Sequence, residues 1–114
     1  MAGVKTLINT TPAVLQIILF TRTGNSPANQ GQAVQVTLQP FETKTVQYGS
    51  VQNPFLNGIS VFTIYQNDLY SKVQFVTARP SELDNLLNNN NVVLISKVLT
   101  DYIISGVNSN FYPF

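Results

Sequence analysis

The stretch Ile59–Thr77, ISVFTIYQNDLYSKVQFVT, decides the fold class. β-Branched and aromatic residues crowd both of its halves, and such side chains suit a pleated surface. Between the halves stands Asn67-Asp68, a pair that tolerates the positive φ of a two-residue hairpin turn. The stretch therefore reads as a β-hairpin in which Gln66 faces Leu69 and Tyr65 faces Tyr70. Alternation then places Phe62, Ile64, Leu69, Val73 and Phe75 on one face with Ser60 and Ser71, and this is the expected core face. Ile59, Val61, Thr63, Tyr65, Tyr70, Lys72, Gln74 and Val76 share the other. A solvated antiparallel face should be mostly polar. Five of these eight are apolar or aromatic, so something is expected to cover the face.

Working outward, the same texture recurs. Strands are expected at Val4–Ile8, Ala13–Arg22, Ala33–Leu38, Thr43–Tyr48, Ile59–Gln66, Leu69–Thr77, Val92–Leu99 and Tyr102–Ser105. Gly, Pro, Asn and Ser clusters punctuate them. Alternation is cleanest where Val34, Val36 and Leu38 oppose Gln35 and Thr37. One short helix is expected near 81–88. Pro80 stops a strand, Ser81 is a good N-cap, and Glu82 and Asp84 favour the first turn. Leu83, Leu86 and Leu87 make its apolar stripe, and the asparagines 88–91 end it. About eight strands and one helix predict an all-β, antiparallel β-sandwich or jelly roll, with a Greek-key barrel as the alternative. The 114 residues make one domain, 1–114.

Composition removes most chemistries. The chain has no cysteine, histidine or tryptophan, so thiolate and imidazole catalysis, disulfides and most transition-metal sites are excluded. Only 10% of residues are charged, and six Lys/Arg against five Asp/Glu leave a net charge of +1. The basic residues Lys5, Arg22, Lys44, Lys72, Arg79 and Lys97 form no run, and nucleic acid is not an expected partner. Low charge also weakens the repulsion between copies. The longest apolar run, Ala13–Phe20, is too short to span a bilayer. The first residues lack the pattern of a secretory signal, so the chain is expected either to be made as a soluble protein or to have had a signal removed already. Localisation beyond that is open, with assembly on a cell, spore or particle surface as one option.

The carboxylates Glu42, Asp68, Glu82, Asp84 and Asp101 have turn, helix-start or strand-end explanations. They make neither a glycosidase pair nor a calcium loop. Ser96 and Lys97 are adjacent on a strand and point to opposite faces, which excludes a dyad. No catalytic residue, cofactor or metal site is expected. Asn9-Thr10-Thr11 fits the glycosylation triplet by its letters alone.

Two readings of function follow. The first is a non-enzymatic structural subunit that self-assembles into a homo-oligomer or filament. Its expected interface is Ile59, Val61, Tyr65 and Tyr70, with Phe111, Tyr112 and Phe114 of the aromatic C-terminal segment as anchors. The alternative is a small lectin-like module that binds glycan. There Tyr65 and Tyr70 would stack on sugar rings, and Asn67, Asp68, Asn25 and Asn29 would bond hydroxyls. By strand count and composition, the whole chain is loosely similar to jelly-roll subunits of bacterial spore appendages, surface fibres and capsids. It departs from the spore-appendage pattern, because it has no N-terminal cysteines to staple subunits.

Overall fold

A computed structural model describes residues 3–22, 30–48, 55–76, 82–88, 90–99 and 101–107. They form a sandwich of two four-stranded sheets. The elements are β1 (Gly3–Asn9), β2 (Leu15–Arg22), β3 (Gln30–Leu38), β4 (Thr43–Tyr48), β5 (Leu56–Tyr65), β6 (Asp68–Phe75), α1 (Glu82–Asn88), β7 (Val92–Val98) and β8 (Asp101–Val107). One sheet has the order β4-β1-β7-β8 and the other β3-β2-β5-β6. Every pairing is antiparallel except that of β1 with β7.

The core lies between the sheets. Leu15, Ile17 and Leu19 of β2, Ile59 and Val61 of β5, and Leu7 and Ile95 of the facing sheet are all fully buried there. Their period of two is the alternation of a strand with one face inward. The helix closes one end of the sandwich. Leu87 is buried, while Leu83 and Leu86 pack half-buried against the core, as the expected stripe requires. Asn88 fastens the helix end to the start of β5. Its Nδ2 donates to the Leu56 carbonyl at 2.9 Å, and its Oδ1 accepts the Leu56 amide at 2.7 Å. Gly106 of β8 passes close to this end of α1, because a Cβ there would lie 2.6 Å from Asn90 Nδ2 and 2.9 Å from the Leu86 carbonyl.

Two expectations about the hairpin are corrected. The turn is Gln66-Asn67, with φ of 52° and 66°, and Asp68 belongs to the ladder opposite Tyr65. Two consecutive positive φ values are the signature of the hairpin turn whose twist matches its strands. Relative to the expected register, β6 is displaced along β5 by a full pleat, so each residue keeps its face. Which face is the core is the second correction. Ile59, Val61 and Thr63 point into the sandwich, while Phe62, Ile64, Leu69, Val73 and Phe75 point out. Two of the polar residues on this inner face, Thr63 and Lys72, have hydrogen-bond partners there. Thr63 Oγ1 donates to the Val14 carbonyl at 2.7 Å, and Lys72 Nζ donates to the Tyr102 carbonyl at 3.1 Å. A long side chain on an edge strand can bury its stem and carry its head to the boundary.

Candidate interaction surface

The outward face of the β3-β2-β5-β6 sheet is the most unusual surface of the chain. Its largest side chains stay in solvent: Phe62 is 38% exposed, Ile64 61%, Leu69 64%, Val73 51% and Phe75 40%. Ile18 and Phe20 of β2 continue the patch, half-buried. Register explains the continuity. Ile64 stands opposite Leu69, Ser60 opposite Val73, and Phe20 and Phe75 both flank Gly58. The Phe20 and Phe75 rings meet with centroids 4.8 Å apart. Gly58 makes room for them, since a Cβ there would lie 2.7 Å from Phe75 Cδ1 and from the Gln74 carbonyl oxygen. Toward β3 the face turns polar, through Gln16, Gln35 and Thr37, with Thr37 Oγ1 donating to Gln16 Oε1 at 2.9 Å. Among the described residues it carries no charged side chain. Soluble monomers rarely expose a contiguous apolar patch of this kind.

Both lateral seams of the sandwich are clasped by lysines. On one side Lys44 Nζ of β4 donates to the Thr37 carbonyl of β3 at 2.9 Å. On the other, β6 is tied to β8 by Lys72 and Tyr70. The Tyr70 hydroxyl donates to Asp101 Oδ1 at 2.6 Å and lies 3.3 Å from the Tyr102 carbonyl oxygen. The Tyr70 and Tyr102 rings pack with centroids 4.7 Å apart. Lys97 Nζ sits 5.5 Å from the Tyr65 ring centroid and 6.0 Å from that of Tyr102, and donates to the Leu99 carbonyl at 2.6 Å. Partial burial and the bond to Asp101 push the Tyr70 phenol above its ordinary range. The same bond holds the Asp101 carboxyl below the usual carboxylate range.

These positions reassign the residues singled out from the sequence. Ile59 and Val61 are completely buried, so neither can form part of an interface. Tyr65 and Tyr70 share the inner face at the end of the hairpin but do not pair directly. Tyr65 faces Asp68, and Tyr70 faces Thr63. The Tyr70 ring and hydroxyl are both engaged in the seam. Asn67 and Asp68 are exposed beside it. Asn25, Asn29, Phe111, Tyr112 and Phe114 lie outside the described residues. Sequence reasoning missed the outward set of Phe62, Ile64, Leu69, Val73 and Phe75, because it assigned these apolar residues to the core. Lys72 hid the correct assignment, because from an inward position on an edge strand its long side chain still reaches the Tyr102 carbonyl, 30 positions away.

Asn9 is buried and cannot serve as a glycosylation acceptor in the folded state. Its Nδ2 donates to the carbonyls of Ala13 and Gln39 at 2.8 and 2.9 Å. Its Oδ1 accepts from the Thr11 amide and hydroxyl. Among the described residues no group of three or more acids forms a metal site, and no helix is long and apolar enough to cross a membrane. Comparison with protein-family models, with curated proteins and with solved structures finds no match.

Proposed function

We propose that the chain is a non-enzymatic structural subunit that assembles with copies of itself into a homo-oligomer or filament. One observation carries this reading: the charge-free apolar face built by Phe62, Ile64, Leu69, Val73 and Phe75. Burying apolar surface contributes about 25 cal/mol per Å², and no charged group of this face would have to be desolvated against that gain. The net charge of +1 opposes association only weakly. The reading keeps the self-association expected from the sequence and moves its surface from Ile59 and Val61 to the opposite side of the same strands.

Light scattering after gel filtration, with a negative-stain image of the same fraction, tests it. Oligomers, rings or filaments are expected, and Val73→Glu combined with Ile64→Lys should shift them toward monomer while leaving the circular dichroism unchanged. A monodisperse monomer at millimolar concentration would sink the proposal.

A further inference from the structure

We infer that two copies join edge to edge through β6, antiparallel about a two-fold axis at Ser71, to make one continuous eight-stranded sheet. This rests on the self-assembly reading and names the geometry of its first contact. β6 is the outer strand of its sheet, and among the described residues no strand pairs its far side. It runs eight residues from Asp68 to Phe75, with no proline and with unbroken register on β5. Long, regular edges are templates for pairing with another chain, and the one lysine that could guard this edge, Lys72, has its head turned onto the Tyr102 carbonyl of β8. The opposite edge differs. The β2–β3 ladder slips between Phe20 and Arg22, and such an irregularity discourages an added strand.

The peptide groups of β6 that face outward follow from the hairpin. In a two-residue hairpin the pair beside the turn exchanges both hydrogen bonds, so Asp68, Tyr70, Lys72 and Gln74 aim their peptide groups at β5. The Val76 amide continues this alternation, donating to the Asn57 carbonyl at 2.8 Å. Leu69, Ser71, Val73 and Phe75 therefore present theirs to a partner.

Charge and apolar matching select the register. An axis at Lys72 would set two lysines face to face, which is destabilising. An axis at Tyr70 would pair Lys72 with the second copy's Asp68, but it would set Leu69 against Ser71 and shorten the ladder. An axis at Ser71 pairs Asp68 through Gln74, seven of the eight residues of the strand. It sets Leu69 against the second copy's Val73 twice and Lys72 against its Tyr70, with no like charges opposed. The outward apolar faces of the two copies then merge into one band, and that band is the surface available for further stacking.

Because the chain has no cysteine, single substitutions report the register directly. Ser71 is exposed, and Ser71→Cys is close to isosteric. Hydrogen-bonded partners in an antiparallel pair lie about 5.5 Å apart at Cα, within the span of a disulfide. Oxidised Ser71→Cys is expected to run as a covalent dimer. Leu69→Cys and Val73→Cys should cross-link poorly alone and well when mixed. If the protein is oligomeric but Ser71→Cys does not cross-link, or Leu69→Cys cross-links alone as well as Ser71→Cys does, the edge pairing is wrong and self-assembly stands. If every variant and the parent are monomeric, both proposals fall.

Discussion

The Tyr70 hydroxyl donates to Asp101 Oδ1 at 2.6 Å, joining the outermost strand of one sheet to the outermost strand of the other. The bond favours a protonated phenol and an ionised carboxylate at once. Burial and Asp101 raise the tyrosine, and the tyrosine's hydrogen bond lowers Asp101. Its contribution to stability is therefore bounded on both sides. A lowered carboxyl contributes above its unfolded value, about 3.9, and the contribution fades as pH falls through the folded one. A raised phenol contributes below about 10, and the contribution fades as pH rises further. Tyr70→Phe is expected to melt lower than the parent between these limits and to converge with it in acid. Melting curves from pH 2 to 8 decide this, and a difference that persists undiminished at pH 2 would assign the effect to packing.

Lys5 and Tyr48 set the alkaline behaviour. Burial pulls the Lys5 ammonium down to about 8 and pushes the Tyr48 phenol up to about 12. Lys5 Nζ donates to the Asn90 carbonyl. An unfolded lysine holds its proton to about 10.4, so between roughly pH 8 and 10 the unfolded chain binds more protons and stability rises with pH. Above about pH 10 the unfolded tyrosine ionises first, and stability falls. A maximum in melting temperature near pH 10 is the expected outcome. Lys5→Met should abolish the rising limb and keep the falling one. A parent protein whose melting temperature falls steadily from pH 8 would contradict this account.

Gly58 leaves no room for an added methyl within the outward patch. Gly58→Ala places a Cβ 2.7 Å from a backbone oxygen that cannot swing aside, and the same distance from the Phe75 ring. Overpacking of this kind costs about 1–3 kcal/mol. Urea denaturation should show that loss with an unchanged slope, together with a changed near-ultraviolet signal from the displaced phenylalanine rings. Equal midpoints for the two proteins would show that the strands separate freely.

Leu99 holds a φ of 56° at the β7–β8 turn and is 87% exposed. A branched apolar residue in the left-handed region is strained by about 1–2 kcal/mol, and asparagine relieves much of that. Leu99→Asn is expected to raise stability by about 1 kcal/mol, read as a higher urea midpoint. No gain, or a loss, would mean that the Leu99 side chain makes contacts its exposure conceals.

Much of the architecture is legible in local chemistry, and the misreadings share one cause. Eight strands and the Leu83, Leu86 and Leu87 stripe follow from periodicity, which depends only on neighbouring residues. The partition of β5 and β6 into two faces follows from the pleat and survives the displaced register. What periodicity cannot say is which face meets the second sheet, when both carry large apolar residues. That choice depends on Lys72 reaching the Tyr102 carbonyl and Thr63 reaching that of Val14, and both partners are distant in sequence. The same holds for Tyr70, whose partner Asp101 lies 31 positions away. The parallel pairing of β1 with β7 was invisible for the same reason.

That parallel pairing governs the order in which the molecule can form. The β2–β3, β5–β6 and β7–β8 pairs are close in sequence, whereas Lys5 and Asn90, which bond at the β1–β7 junction, are 85 positions apart. Closing so long a loop costs entropy before any contact repays it, and topologies of this kind fold in milliseconds to seconds. On the ribosome, β1 must wait for β7 to be made before it gains that neighbour. Most of the chain therefore emerges before the sandwich can close, and the sheet that exposes Phe62, Ile64, Leu69, Val73 and Phe75 can pair its strands first. During that interval Leu15, Ile17, Leu19, Ile59 and Val61 have no facing sheet, so both sides of the first sheet present apolar residues to water.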